Sequence, residues 1–163
     1  MSIKVLFVCL GNICRSPTAH GIFARYVKQQ QFDHLINVDS AGTGDWHIGK
    51  APDERSSAAA LRRGYDLSVL RARQVSAVDF EHFDYILAMD KKNLRDLQKM
   101  RPSHFNGELA LFLDYGNHGE LEVPDPYYGD GEGFERVLDL VENASQHLLR
   151  QLIERHHLVR GIA

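Results

Sequence analysis

The stretch of sequence that decides the fold is residues 3–18, which read IKVLFVCLGNICRSPT. It opens with an apolar run rich in β-branched side chains, and such a run is typical of a strand buried on both faces. Gly11 and Asn12 interrupt the run, and these residue types tolerate the positive φ that a tight curl requires. Ser16 is predicted to cap the following helix and Pro17 to be its first residue. The first unit is therefore a strand, a tight loop and a helix.

Beyond this unit, strand-like and helix-like patterns alternate along the chain. The first helix is predicted to end near residue 30, and three further strands are predicted at residues 35–39, 85–89 and 109–113. Three further helices are predicted at residues 53–63, 91–100 and 134–155. Residues 41–52 and 115–133 are predicted to form loops. Because strands that alternate with helices form parallel sheets, we expect an α/β fold with helices on both faces of the sheet. No linker or repeat divides the sequence, so residues 1–163 are predicted to form a single domain. Ligands bind such sheets beyond the carboxyl ends of the strands, which makes the loop after the first strand the leading candidate site.

The composition narrows the classes of function. Of the 163 residues, 44% are apolar and 25% are charged, as in an ordinary globular domain. The net charge of -3 gives no general attraction to nucleic acid or to an anionic membrane, and no apolar run is long enough to span a bilayer. The only cysteines are Cys9 and Cys14, and the N-terminal segment lacks a signal-peptide pattern, so we expect a cytoplasmic protein in a reducing compartment. We expect no nucleic-acid partner, no membrane insertion and a monomer.

The loop after the first strand contains a Cys-x5-Arg-Ser pattern that suits a phosphate group. Its residues are Cys9, Leu10, Gly11, Asn12, Ile13, Cys14, Arg15 and Ser16. The residues between the cysteine and the arginine can curl so that their backbone N–H groups point inward, and the start of the next helix adds positive potential. Arg15 would close the ring with a planar fork that matches two phosphate oxygens. Cys9 would then lie beneath the phosphorus.

This placement predicts nucleophilic catalysis by Cys9. The inward N–H groups, Arg15 and the helix dipole favour its thiolate form, and the Ser16 hydroxyl can donate a hydrogen bond to it. Attack on phosphorus would give a phosphocysteine that water then hydrolyses, while Arg15 and the loop stabilise the equatorial oxygens. Two alternatives remain. The two cysteines could be apolar core residues at the end of a strand, or they could bind a metal, for which the sequence offers no second pair of ligands.

Expulsion of an alkoxide or phenoxide requires a general acid. Asp125 is the best candidate, because the prolines on both sides stiffen its loop, although Asp-Pro is also a common turn. Trp46, Tyr127 and Tyr128 lie on Gly-rich loops and are predicted to form a slot for a flat ring, with ordinary rim packing as the alternative. The nine histidines form no metal-binding motif, so no metal or other cofactor is expected.

These motifs resemble those of the low molecular weight protein tyrosine phosphatases over nearly the whole chain. The similar stretches are VCLGNICRSP at residues 8–17, DSAGTG at 39–44, DW at 45–46, RARQ at 71–74, FDYILAMD at 83–90 and DPYYG at 125–129. The resemblance implies a four-stranded parallel sheet, a two-step mechanism without metal, and hydrolysis of phosphotyrosine and aryl phosphates. Phosphotyrosine proteins are then the expected substrates, with a tyrosine kinase as one candidate partner.

The resemblance also implies a role for each matching residue. These roles are nucleophile for Cys9, phosphate ligand for Arg15, thiolate partner for Ser16, loop organiser for Asn12, acid and then base for Asp125, and pocket lining for Leu10, Trp46 and Tyr127. One departure is visible, because the family often has a histidine at the position of Leu70. The hydrogen-bond network behind the loop, around Asn12 and Ser40, is therefore expected to be simpler.

Two other functions, arsenate reduction and non-catalytic phosphate binding or redox sensing, fit the residues less well than phosphatase activity does. Arsenate reduction on this fold needs cysteines outside the loop, and this chain has none beyond Cys14. A non-catalytic phosphate-binding or redox-sensing module would not need the complete set of Cys9, Arg15 and Asp125.

Cys14 lies in the same curl as Cys9 and is predicted to be a resolving cysteine that forms a disulfide with oxidised Cys9. The alternative for Cys14 is packing as a small apolar residue.

Overall fold

The computed structural model describes residues 2–127 and 132–161. Its elements in chain order are β1 (Ile3–Cys9), α1 (Arg15–Gln29), β2 (Ile36–Gly42), α2 (Glu54–Arg62), α3 (Asp79–His82), β3 (Tyr85–Ala88), α4 (Lys91–Met100), β4 (Glu108–Leu111), a short 3₁₀ helix (Phe112–Tyr115) and α5 (Glu132–His156). Within these described ranges, no helix combines the length and the apolar character needed to cross a membrane.

The four strands form one parallel sheet in the order β2-β1-β3-β4. β1 pairs with β2 on one side and with β3 on the other, and Val5 lies opposite both Val38 and Tyr85. The chain moves outward from β1 to β2 and then returns to the other side of β1 for β3 and β4. The strand order therefore reverses at β1, and the crevice at such a reversal is where α/β sheets bind ligands. The predicted four-stranded parallel sheet is confirmed.

Side chains of β1 alternate between two hydrophobic clusters, one on each face of the sheet. Phe7 packs on the face covered by α1, α2 and α5, where its ring meets those of Phe23 and Phe112 edge-on, with centroid separations of 5.7 and 4.8 Å. Leu6 and Val8 pack on the opposite face with residues of α3 and α4. Helices on both faces, as predicted, enclose the sheet between two apolar layers and hold its carboxyl edge in a fixed position.

Element boundaries differ from the prediction where tertiary contacts override local signals. α4 spans the predicted residues. β2 continues to Gly42, beyond the predicted end at residue 39, because Ala41 and Gly42 pair with the last two residues of β1. β4 ends at Leu111, because the chain turns there into the 3₁₀ helix. α3 has no counterpart in the predicted pattern, since a helix of four residues is too short for a helical period to show.

The predicted N-cap of the first helix is wrong. α1 begins at Arg15, with Cys14 in the cap position and no side-chain hydrogen bond at that cap. Ser16 lies inside the first turn and is fully buried, and its hydroxyl contacts the Cys9 sulfur instead of capping the helix. Pro17 is tolerated inside this turn, because the first N–H groups of a helix have no intrahelical acceptor.

Candidate active site

The loop after β1, residues 9–16, is the phosphate loop of the sequence analysis, and the end of β2 supports it. The N–H groups of Thr43 and Gly44 donate to its first two carbonyls, each at 2.9 Å. A side chain at Gly42 would place its Cβ only 2.7 Å from the Leu10 carbonyl oxygen. Glycine therefore allows the two backbones to approach this closely.

The Cys9 sulfur is almost fully buried at the floor of the phosphate loop. It accepts a hydrogen bond from the backbone N–H of Asn12 at 3.3 Å and lies 3.0 Å from the Ser16 hydroxyl oxygen. That hydroxyl accepts the side-chain N–H of Asn12 at 2.8 Å, so its own proton is available to the sulfur or to the Ala41 carbonyl, 3.3 Å away. The backbone N–H of Asn12 and the Ser16 hydroxyl therefore both lie within hydrogen-bond distance of this sulfur.

Asn12 holds the curl of the loop in shape. Its φ is +56°, in the left-handed region that asparagine tolerates better than most residues. Its side-chain oxygen accepts the backbone N–H of Arg73 at 3.0 Å, which ties the loop to the segment before α3. Gly11 does not adopt a positive φ, so the prediction is right for Asn12 and wrong for Gly11. Gly11 provides space instead, because a Cβ there would lie 2.9 Å from the His47 ring.

Arg15 is buried, with only 3% of its surface exposed, and its guanidinium is held by three groups. One terminal nitrogen donates to the Asp90 carboxylate at 2.6 Å and to the Val123 carbonyl at 3.1 Å, and the other lies 3.6 Å from the Asp125 carboxylate. Burial would lower the pKa of Arg15, but the charge of Cys9 and the hydrogen bond that Arg15 donates to Asp90 outweigh it, so this pKa is raised. Arg15 is therefore a fixed and permanently charged group in the wall of the site.

Asp90 is a site residue that the sequence analysis did not single out. It lies two residues beyond the end of β3 and caps α4, where one carboxylate oxygen accepts the N–H of Asn93 at 2.7 Å while the other holds Arg15. Because β1 and β3 are neighbours in the sheet, the residues that follow them lie side by side. An acidic residue immediately after the predicted strand 85–89 is the signal that could have revealed it.

Asp125 approaches the site from residues 116–127, the acid loop, which precedes α5. One of its oxygens accepts the N–H of Tyr127 at 3.0 Å, and the other faces the buried guanidinium at 3.6 Å. Val123 is fully buried and ties the acid loop to the end of β3, since its N–H donates to the Met89 carbonyl at 2.8 Å. The Asp125 side chain is 35% exposed, so a bound molecule can reach it.

One cavity of 360 Å³ brings most of the predicted site residues together. It is lined by Cys9, Leu10, Gly11, Ile13, Cys14, Arg15, Trp46, His47, Asp125 and Tyr127. Trp46 and Tyr127 are 66% and 37% exposed, so their rings form the rim, and His47 is a rim residue that the sequence analysis missed. Tyr128, predicted for the same slot, lies outside the described residues. Over residues 2–127 and 132–161, no three His, Cys, Asp or Glu side chains are grouped so as to hold a metal ion.

Cys14 has a different environment from Cys9, although both are free and buried. Burial raises the pKa of Cys14 to about 12, against the opposing effect of a hydrogen bond with Ser56, and the negative charges of Asp53, Cys9 and Asp125 raise it further. Cys14 is therefore a neutral thiol at physiological pH. Only Cys9 has the hydrogen-bond donors described above.

The network behind the phosphate loop uses a histidine from another position. Leu70 is partly buried and packs against the apolar core. The hydroxyl of Ser40 instead contacts Nδ1 of His20, on α1, at 3.0 Å. Burial lowers the pKa of His20, because it disfavours the charged ring. The side chains of Ser40 and Asn12 therefore both have hydrogen-bond partners, the ring of His20 and the backbone N–H of Arg73, and residue 70 supplies neither of them.

Comparison with known proteins assigns the chain to a family. The family model described as low molecular weight phosphotyrosine protein phosphatase matches residues 4–158. The chain is 41% identical over 159 residues to a low molecular weight protein-tyrosine-phosphatase from Streptomyces coelicolor, an alignment that covers 95% of this chain and 96% of that protein. It is 43% identical over 136 residues to the Homo sapiens low molecular weight phosphotyrosine protein phosphatase, covering 82% and 85% of the two chains.

The fold is similar to solved structures over the same range. The crystal structure of a protein tyrosine phosphatase from Entamoeba histolytica superposes with a TM-score of 0.91 at 39% identity, and the match covers 96% of this chain and 100% of that one. Sequence and structure therefore agree over nearly the full length. The chain belongs to the low molecular weight phosphotyrosine protein phosphatase family.

Proposed function

We propose that this chain hydrolyses phosphotyrosine, and aryl phosphate monoesters in general, through a phosphocysteine intermediate on Cys9 and without a metal ion. The observation that carries the proposal is the convergence on one cavity of a sulfur surrounded by hydrogen-bond donors, the buried Arg15 and the Asp125 carboxylate. Membership of a family of phosphotyrosine phosphatases supports the same assignment.

In the first step the Cys9 thiolate attacks phosphorus, and a sulfur–phosphorus bond forms as the bond from phosphorus to the tyrosyl oxygen breaks. Protonated Asp125 gives its proton to that oxygen, so tyrosine leaves as a neutral phenol. In the second step water attacks phosphorus, the sulfur–phosphorus bond breaks, and the Asp125 carboxylate takes a proton from the water. Inorganic phosphate leaves, and each cycle consumes one water and regenerates both side chains.

Arg15 and Ser16 are oriented before substrate binds, so they can stabilise the negative charge that develops in the two transition states. Asp90 and the Val123 carbonyl fix one terminal nitrogen of Arg15, which orients the planar fork before substrate arrives. The Ser16 hydroxyl, 3.0 Å from the Cys9 sulfur, stabilises the thiolate when it leaves in the second step. Donors that need no reorientation during the reaction supply much of the rate enhancement of enzymes, which supports catalysis by these groups.

The rim of the cavity supports an aromatic leaving group. Trp46 and Tyr127 present partly exposed rings at the rim, and Leu10 adds apolar surface to the same wall. Such rings bind a flat phenyl group by stacking or edge contacts, which a phosphoserine side chain cannot form. We therefore propose phosphotyrosine proteins as the substrate class.

Turnover in the presence of a chelator tests the proposed function. Wild type should release phosphate from a phosphotyrosine peptide and from p-nitrophenyl phosphate after dialysis against EDTA. A substrate with radiolabelled phosphate, quenched during turnover, should label wild type and Cys14→Ser but not Cys9→Ser. Activity that is lost on chelation and restored by a divalent ion, or label on a residue other than Cys9, would contradict the mechanism.

We also propose that Cys14 is a resolving cysteine when peroxide oxidises the site. The Cys9 thiolate would attack peroxide and become a sulfenic acid, with release of hydroxide. The Cys14 sulfur would then displace the sulfenic oxygen as water, forming a disulfide that a dithiol can reduce. The raised pKa of Cys14 supports this order, because a buried neutral thiol is not oxidised first.

Peroxide treatment of wild type and Cys14→Ser, followed by dithiothreitol, tests the resolving role. Wild type should recover activity and show a Cys9–Cys14 disulfide by mass spectrometry, whereas Cys14→Ser should accumulate sulfinic or sulfonic acid at Cys9. Equal recovery of both proteins without a disulfide would leave Cys14 with packing as its only role.

A further inference from the structure

Arg55 contacts both sides of the link between the acid loop and α5. It lies in the first turn of α2, and its guanidinium donates to the Tyr127 carbonyl at 3.0 Å. The guanidinium carbon also lies 5.4 Å from the centroid of the Tyr127 ring and 4.9 Å from that of Phe134. Tyr127 is the last residue of the acid loop and Phe134 lies in the first turn of α5. One side chain therefore joins the end of the acid loop to the helix that follows it.

Arg55 is itself held by a residue that binds the phosphate loop. The Asp53 carboxylate accepts hydrogen bonds from Nε and a terminal nitrogen of Arg55, at 3.3 and 3.2 Å, and also caps α2. The backbone N–H of Asp53 donates to the Ile13 carbonyl at 2.8 Å. A continuous series of contacts therefore runs from the phosphate loop through Asp53 and Arg55 to Tyr127.

The last contact in this series reaches the carboxyl group of Asp125. The N–H of Tyr127 donates to one Asp125 oxygen at 3.0 Å, while its carbonyl is bound by Arg55. A shift of Tyr127 would therefore move the carboxyl group relative to the leaving oxygen of a substrate. A misplacement of about 1 Å in such a geometry costs roughly 10²-fold in rate.

We propose that Arg55 is a positioning residue for Asp125, which it holds in register with the phosphate loop through Asp53 on one side and Tyr127 on the other. This inference rests on the proposed function, because it takes Asp125 as the general acid. The role needs the planar fork of arginine, which can bond a carboxylate and a carbonyl and lie over two rings at once. Lysine carries the same charge but lacks this geometry.

A series of aryl phosphates whose leaving groups differ in pKa tests the role of Arg55. Arg55→Ala should lower kcat/KM roughly ten- to hundredfold for leaving groups of high pKa and much less for those of low pKa, which need little protonation. Arg55→Lys should show the same trend, and vanadate affinity should be unchanged in both. In an Asp125→Asn background, Arg55→Ala should add no loss that depends on the leaving group, because the acid is already absent.

Arg62→Ala is the matched control. Arg62 is an exposed arginine at the other end of α2, where it pairs with Glu135 at 3.1 Å, so its loss removes the same charge from the same helix. It should leave kcat/KM unchanged across the series. All variants are compared below their unfolding transitions, and Arg55→Gln replaces Arg55→Ala if the alanine variant does not fold.

The outcomes separate this inference from the function on which it rests. An equal loss with every leaving group, or a leaving-group trend that persists without Asp125, would overturn the positioning role of Arg55. Arg55→Ala behaving like Arg62→Ala would do the same. If wild type does not hydrolyse aryl phosphates, or Asp125→Asn is equally impaired with all of them, the proposed function fails and this inference fails with it.

Discussion

The phosphate loop and the acid loop meet at one cavity but are built differently. In the phosphate loop, Asn12, Arg15 and Ser16 are almost completely buried, and their side chains are bonded to groups from β2, from the segment before α3 and from Asp90 at the start of α4. In the acid loop, only Val123 and Pro126 of residues 116–127 are buried. Tertiary contacts therefore hold the phosphate loop through several buried side chains. They hold the acid loop at fewer positions, of which Val123 and Pro126 are buried.

This difference fits the two chemical tasks that we propose for the loops. Groups that stabilise charge in a transition state must be oriented before the reaction, because reorientation during it costs free energy. A general acid must meet a substrate that enters and leaves, so its side chain remains at the surface. We expect substitutions of the buried polar residues that shape the phosphate loop, such as Asn12, to affect mainly folding, and substitutions of the reacting groups Cys9 and Asp125 to affect the chemical step.

The largest expected effect is the loss of the nucleophile. Cys9→Ser should abolish measurable turnover and keep vanadate affinity within an order of magnitude, because Arg15 and the backbone N–H groups remain. Trp46 is the only tryptophan and lies at the rim of the cavity, so its fluorescence can report vanadate binding. Robust turnover by Cys9→Ser would exclude the covalent mechanism. Loss of vanadate binding would show that the phosphate loop needs the sulfur to keep its shape.

The next largest effect is expected in the acid loop. Asp125→Asn should slow hydrolysis of aryl phosphates by roughly two to four orders of magnitude, the usual scale of general acid catalysis. The defect should shrink as the leaving-group pKa falls, and the free energy of unfolding should change by no more than about 0.5 kcal/mol, since the side chain is partly exposed. A large change in stability in urea unfolding would show that the acid loop is as strongly coupled to the fold as the phosphate loop.

A substitution in the phosphate loop should act in the opposite way, mainly on stability. Asn12→Ala should lower the free energy of unfolding by about 3 kcal/mol, because it leaves buried polar groups unsatisfied, at about 1–3 kcal/mol, and places alanine in the left-handed region, at about 1–2 kcal/mol. Asn12→Gly keeps the backbone conformation and should lose only the first contribution. Urea unfolding gives the free energy of unfolding of each variant and so separates the hydrogen-bond contribution from the backbone contribution. If Asn12→Ala and Asn12→Gly lose the same free energy of unfolding, the backbone contribution is absent.

The smallest effect concerns His20, behind the phosphate loop. Its pKa is lowered in the folded protein from the ordinary value of 6.5, so below pH 6.5 the unfolded chain takes up a proton that the folded protein does not. This contribution to stability is therefore complete above pH 6.5 and is lost as the pH falls, by at most about 1.4 kcal/mol per pH unit. His20→Asn should flatten the pH dependence of unfolding, and the exposed His118→Asn should not. An unchanged slope in His20→Asn would contradict this account.

The sequence alone determined the parts of the molecule that depend on covalent spacing. Cys9 and Arg15 are separated by a short segment that can close into a tight curl, and the apolar run before them is short and rich in β-branched residues, which favours a buried strand, so both could be predicted. The strand and helix alternation likewise specified a parallel sheet, and its carboxyl edge indicated where the site lies. Asp125 could be proposed as the general acid from its flanking prolines and from what the proposed chemistry requires, and that role stays a prediction.

The tertiary structure alone decided which side chains meet across the site. Asp90 reaches Arg15 because β3 lies beside β1, and Arg55 reaches Tyr127 because α2 lies next to the acid loop. These partners are 75 and 72 residues apart in sequence, so no local pattern links them. Ser16 shows the same limit, since a rule of local capping assigned its hydroxyl to the helix, whereas in the folded protein the hydroxyl accepts a hydrogen bond from the Asn12 amide and contacts the buried Cys9 sulfur. Local sequence specifies which conformations each segment can adopt, but the choice of partner for a polar side chain depends on which segments the sheet brings together.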